Sequence, residues 1–208
     1  VYGDARVKGN AYVGGDARVG GNALVEGNAL VEGNARVRGN ALVTGDALVY
    51  GDARVKGNAY VGGDARVGGN ALVEGNALVE GNARVRGNAL VTGDALVYGD
   101  ARVKGNAYVG GDARVGGNAL VEGNALVEGN ARVEGNADFS IIGGFGRFFR
   151  TTTFFRCQDG KVRTQCGCFY GDLNEFRAKV KETHGESKMA KEYLMIADLM
   201  EMHFAKEG

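Results

Sequence analysis

The chain has 208 residues, 25 Lys plus Arg against 25 Asp plus Glu, and a formal net charge of zero. That balance leaves no nucleic-acid footprint. No stretch is apolar and long enough to span a membrane. No signal peptide is visible, and the chain begins at Val1 rather than Met, so a leader or an N-terminal cap could be missing.

Residues 1–138 are one six-residue phrase, Val-x-Gly-[Asn/Asp]-Ala-x, repeated 23 times without a gap. Within each phrase Ala and Val alternate with variable residues, which is the pattern of a short strand with one apolar face. Gly followed by Asn or Asp is turn chemistry. Each hexad therefore predicts a strand and a corner, with Val and Ala inward and both variable positions outward. So short a strand cannot bury its inner face alone, but stacked coils can. A flat meander turning at every Gly-Asn would leave an apolar face uncovered.

These residues resemble the hexapeptide-repeat family, whose fold is a left-handed parallel β-helix. Val1, Val7 and Val13 match its recurring aliphatic position, and Ala5, Ala11 and Ala17 its small one. The resemblance covers about two-thirds of the chain. It implies three hexads per coil and seven to eight coils, a column of about 37 Å at the strand spacing. It also implies frequent trimers.

Residues 1–48 and 49–96 are identical, and 97–132 repeat the first 36 positions again; Glu134 then stands where Arg38 and Arg86 stood. Eight hexads per block are out of step with three per coil, so successive blocks are rotated by one face. No single face is then expected to carry a residue-specific site. One face stacks Leu24, Leu42, Tyr60, Leu78 and Leu96. The next runs Tyr12, Leu30, Leu48, then Arg66, Arg84, Arg102. The third runs Arg18, Arg36, Arg54, then Leu72, Leu90, Tyr108, Leu126. The Leu24–Leu96 stripe is a candidate lateral interface. Val1 and Tyr2 in the open first coil are candidates for end-to-end association.

Both histidines, His184 and His203, lie outside the repeats. Acyltransferases of the resembling family use a coil-borne His as general base, and its carbonic anhydrases need three metal-binding His. Residues 1–138 supply neither. Only Thr44 and Thr92 interrupt a region that ice binding would fill with Thr ranks.

From Phe139 to residue 208 the composition changes to an aromatic-rich α+β cap that also covers the last coil. Thr151–Cys157 and Lys161–Phe169 read as a hairpin turning at Asp159-Gly160. In that register Thr153 faces Cys166, and Thr153, Phe155, Cys157, Thr164, Cys166 and Cys168 share one side. Asp172 with Glu175 predicts a capping box for a first helix carrying Leu173, Phe176 and Val180, with Gly185 as its stop. Ser187 caps a second, with a stripe of Met189, Tyr193, Ile196, Met200 and Phe204.

Cys157, Cys166, Cys168 and His184 are weak zinc candidates, because closely spaced Cys pairs are lacking. Three unpaired thiols instead suit a reducing, cytoplasmic compartment. Arg147, Arg150, Arg156, Lys161 and Arg163 form a basic cluster where a phosphate or acidic partner could bind.

The sequence thus predicts a non-enzymatic β-solenoid scaffold with a capped end, requiring no cofactor and partnered by copies of itself, laterally or end to end. Neither nucleic acid nor membrane is expected as a partner. The cap resembles tails of bacterial or phage hexapeptide-repeat proteins. The alternatives are an acyltransferase-like enzyme with an inter-subunit site using His184 or His203, and a binding module reading a ligand through the basic cluster.

Overall fold

A computed structural model describes residues 1–146 and 150–205. Within 1–138 each strand is two residues long, an outward residue and the Val after it, from β1 (Arg6–Val7) to β22 (Arg132–Val133). These strands form three parallel sheets of eight, seven and seven strands. Register is 18 residues throughout: Leu24 lies beside Leu42, Arg66 beside Arg84, and Leu72 beside Leu90. Three hexads therefore close one coil, and about seven coils make a triangular column roughly 34 Å long.

The phrase explains the column at every level. From Val19 to Val133 the inward Val and Ala of each coil are at most 1% exposed. Each fully buried Val contributes about 1.5 kcal/mol or more. The backbone closes the stack: Leu24 N–H donates to Ala41 carbonyl, Glu26 to Val43 and Asn28 to Gly45, each at 2.9 Å. Corner glycines sit in the left-handed region and stack on one another; Gly69 has φ +67 and faces Gly87. Corner amides continue the ladder outside. Asn22 Nδ2 donates to Asn40, Asn40 to Asn58, Asn58 to Asn76 and Asn76 to Asp94, at 3.2, 3.0, 3.0 and 2.8 Å.

Past a 3-10 turn at Asn136–Asp138 the architecture changes. Strands β23 (Phe139–Phe145), β24 (Arg150–Arg156), β25 (Val162–Cys166) and β26 (Phe169–Asp172) form an antiparallel sheet in chain order. Helices α1 (Leu173–His184) and α2 (Lys188–Phe204) pack on one side of it. Its other side plugs the last coil: Phe139, Phe155 and Cys157 belong to the column's core, whereas Phe154 belongs to the core under the helices.

The plug also answers the hydrogen-bonding groups at the end of the stack. One coil earlier, Arg102 and Tyr108 donate to the carbonyls of Ala119 and Ala125. Leu120 and Leu126 donate instead to Asn136 Oδ1 (3.0 Å) and Thr153 Oγ1 (3.2 Å). Gln158 N–H reaches Asn130 carbonyl at 3.1 Å.

Two details differ from the sequence reading. The sheet has two more strands than the hairpin, because β23 precedes it and Gly167-Cys168 turns the chain into β26. The hairpin register is also shifted by one residue: Thr152, not Thr153, faces Cys166. The turn is longer than Asp159-Gly160. Asp159 Oδ1 accepts from Lys161 N–H at 3.0 Å, and Cys157 bridges to Ala131 of the last coil. A one-residue shift reverses which residues share a side, so Cys157 and Thr153 face the coil while Cys166 faces the helices.

Both helix starts follow their caps. Asp172 accepts from Asn174 and Glu175 N–H while Glu175 returns a bond to Asp172 N–H. Ser187 accepts from Ala190 N–H, and Gly185 follows α1. The buried residues include Phe176 and Val180 of α1 and Tyr193, Ile196, Met200 and Phe204 of α2. No helix among the described residues is long and apolar enough to cross a membrane.

Candidate interaction surfaces

Leu24, Leu42, Tyr60, Leu78 and Leu96 lie in consecutive strands of the eight-stranded sheet, as a half-buried rank on the first face. Arg6 precedes the rank and Arg114 and Arg132 follow it. The second face runs Tyr12, Leu30, Leu48, Arg66, Arg84, Arg102 and Leu120. The third runs Arg18, Arg36, Arg54, Leu72, Leu90, Tyr108 and Leu126. In the first coil Val1 and Tyr2 are 67% and 48% exposed.

The second outward position, after each Val, holds a relation that the sequence reading missed. Where it is Gly, a tyrosine ring fills the space, from two residues earlier at Gly14, Gly62 and Gly110, and from the neighbouring coil at three sites: Tyr2 over Gly20, Tyr50 over Gly68 and Tyr98 over Gly116. Each inter-coil pair is 18 residues apart, so the signal was present once the coil length was known. The next member of each rank is Arg38, Arg86 or Glu134. Arg38 lies 5.9 Å from the Tyr2 ring centre. Tyr98 hydroxyl donates to Glu134 at 2.6 Å, and Arg132 Nε also donates to Glu134, at 3.0 Å. Burial, reinforced by the Glu134 carboxylate, pushes the Tyr98 phenol up to about 12. The departure from the repeat at Glu134 thus builds the junction with the cap. Glu134 N–H donates to Asp138, whose carboxylate also accepts from Arg156 Nε at 3.0 Å.

Of the basic cluster's described members, Arg156 and Arg163 lie on opposite sides of the sheet. Arg156 is a tie, bound to Asp138 and donating from Nη2 to Phe204 carbonyl at 3.0 Å. Arg163, on the coil-facing side, pairs with Asp159 at 2.8 Å. The Lys161 backbone amide and then Arg163 hold the Asp159 carboxyl below its usual range. Lys161 is exposed. Arg147 lies outside the described residues, and so does the side chain of Arg150.

Cys157 is 2% exposed against the last coil, and burial pushes its thiol up to about 11. Tyr170, whose ring lies 6.3 Å from that of Phe155, is raised to about 12, first by burial and then by Cys157. Cys166, Cys168 and His184 line one apolar cavity of about 510 Å³ with Phe169, Phe176 and Tyr193, on the other side of the sheet from Cys157. His184 stacks on Tyr193 at 5.9 Å. Among the described residues no three His, Cys, Asp or Glu side chains are grouped to hold a metal ion. His203 is exposed in the last turn of α2.

The YdcK β-solenoid repeat model matches residues 17–33, 65–81 and 113–129, the same stretch of each 48-residue block. None of the curated proteins compared with the chain matches it. Among solved structures, a mutant of perosamine N-acetyltransferase from Caulobacter crescentus is 18% identical, with a TM-score of 0.38 over 62% of this chain and 52% of that one. This chain therefore spans about half of that enzyme's length. UDP-N-acetylglucosamine acyltransferase from Campylobacter jejuni is 15% identical, with a TM-score of 0.37 over 93% of this chain and 89% of that one. With three hexads per coil, one aliphatic residue per hexad and a matching YdcK β-solenoid repeat in each block, the chain is a parallel β-solenoid that resembles the hexapeptide-repeat family.

Proposed function

We propose that the chain is a structural scaffold that associates with copies of itself. The observation supporting this reading is that what recurs from coil to coil is packing: Val on Val, Gly on Gly and Asn on Asn or Asp. Outward residue classes migrate between faces, so the column offers length and rigidity rather than one repeated chemical site. The rank from Leu24 to Leu96 is the lateral contact, because it is the longest unbroken apolar rank on any face. Val1 and Tyr2 are the contact for end-to-end association. Three free thiols suit a reducing compartment.

Sedimentation equilibrium tests the lateral contact. The full chain is expected to self-associate, and Leu42→Lys with Leu78→Lys to shift it to monomer. A parent chain that stays monomeric at high micromolar concentration refutes the contact. The acyltransferase-like alternative rests on exposed His203, which would have to reach a neighbour's coil. Any acyl transfer that survives His203→Ala and His184→Ala removes it.

A further inference from the structure

The two Arg ranks are one surface. Arg18, Arg36 and Arg54 are stacked in register on the third face, and Arg66, Arg84 and Arg102 on the second. Beside them in the second outward rank stand Arg38 and Lys56, then Arg86 and Lys104. These ten are most of the 14 cations in the repeats. The second face leads into the third through the corner that carries Asn34, Asp52 and Asn70, so the ranks border the same edge. They make six successive cationic rungs that step across it, about 4.8 Å apart along the column; the four that carry two cations are about 7 Å wide.

The fold does not require this arrangement. Leu or Tyr fills the same rank above and below, as Leu48 does beside Arg66 and Leu72 beside Arg54. Like charges directly opposite one another in a sheet are unfavourable. Among the described residues none of the eight arginines is ion-paired to a carboxylate; only the end members Lys56 and Lys104 are, to Glu74 and Glu122. Against the ten cations stand seven carboxylates, Asp16, Asp52, Asp64 and Asp100 at the corners and Glu32, Glu74 and Glu122 beside the ranks, so the band keeps an excess of three positive charges.

We infer that this band binds a flexible linear polyanion, an acidic polysaccharide whose carboxylates or sulfates pair with the arginine rungs. The guanidinium fork matches planar oxyanions two bonds at a time. The bend decides the kind of partner. Adjacent faces of a triangle cannot both lie against a flat membrane or a rigid duplex, whereas a flexible chain can follow the edge. Single-stranded nucleic acid is the poorer fit because it needs successive aromatic platforms for its bases. Tyr2 and Tyr50 beside the band are folded down over Gly20 and Gly68, and Tyr12 and Tyr108 at its two ends lie over Gly14 and Gly110, so no row of successive rings runs along it. This goes beyond the scaffold reading and holds whether or not the chain self-associates.

The test is fluorescence anisotropy of a labelled linear oligogalacturonate titrated with the full chain. Arg36→Leu, Arg38→Thr and Arg84→Leu use residues those ranks already hold, and Arg86→Thr uses one that the same hexad position holds at Thr44 and Thr92, so the column keeps its fold, checked by circular dichroism. The fourfold variant is expected to bind roughly tenfold or more weakly. Each two-residue variant, altered on one face only, should fall between. Raising salt from about 50 to about 200 mM should weaken the parent steeply, and a neutral oligosaccharide of equal length should not bind. Equal affinity of the fourfold variant, absence of saturable binding by the parent, or tighter binding of a single-stranded oligonucleotide or of anionic vesicles would each overturn the inference.

Discussion

Two glycines in adjacent positions show how differently the same residue type acts in this column. Gly69 sits at a corner with φ +67, and an added Cβ would lie 3.0 Å from the backbone N and O of Gly87. Gly68 has no such backbone demand; an added Cβ would first meet the ring of Tyr50, which can swing away. Gly69→Ala is therefore expected to cost about 1–3 kcal/mol, and Gly68→Ala less than about 1 kcal/mol. Chemical denaturation of the two variants checks the order, and equal losses would contradict it. Three junction groups give a second expectation. Tyr98 and Tyr170 rise from 10.0 to about 12, and Cys157 from 9.0 to about 11, burial being the largest cause in each. All three hold protons more tightly when folded. Their contribution is complete below about pH 9 and is withdrawn as pH climbs from the ordinary thiol and phenol values through the raised ones. The thermal midpoint should fall over that alkaline range, and Tyr98→Phe should flatten part of the fall. A parent midpoint that does not move there would contradict the assignment.

Within the elements, what the sequence made legible was local. Hexad strands and corners follow from a period short enough to read directly. The helices were readable because Asp172, Ser187 and Gly185 act within a turn of their own position. The cap sheet was not, because its order depends on distant partners. Asp159 answering Lys161 N–H and Cys157 pairing with Ala131 lengthen the turn and move the register, and that shift separates Cys157 from Cys166. Strand β23 was missed because Gly143-Gly144 interrupts it, and β26 because Gly167-Cys168 reads poorly as a turn between apolar runs. The same register separates two members of the basic cluster: Arg156 and Arg163 are on opposite sides and each has a structural partner. The docking of β24 on the last coil is itself testable. Thr153 is 1% exposed and its hydroxyl accepts from Leu126 N–H. Thr153→Val keeps the shape and leaves that donor without its partner, at a cost of about 1–3 kcal/mol. Hydrogen exchange at Leu126 should accelerate with it; unchanged exchange would mean the bond does not secure the coil end.

At the scale of the whole molecule, the column follows two clocks: 18 residues per coil and 48 per block. Only the first concerns folding, because each coil recognises just its neighbours and the cap meets only the last coils. Excising residues 49–66 removes one full coil and rejoins Leu48 to Val67 within the phrase. Excising 49–96 removes one block, eight hexads, and turns the first coils by one face relative to the cap. Both variants should fold cooperatively, with columns shorter by about 5 Å and about 13 Å, measurable by small-angle X-ray scattering. Excising only 49–51 breaks the phrase by an odd number of residues and puts inward positions outward. That variant should lose its cooperative thermal transition although it removes the fewest residues. If instead the 48-residue excision unfolds the chain while the 18-residue excision does not, coil identity and cap orientation are coupled, and the second clock is structural too. If both excisions fold, the block period is free to set where the arginine rungs and leucine ranks fall, and changes in block number redistribute those surfaces around a column whose stability they hardly touch.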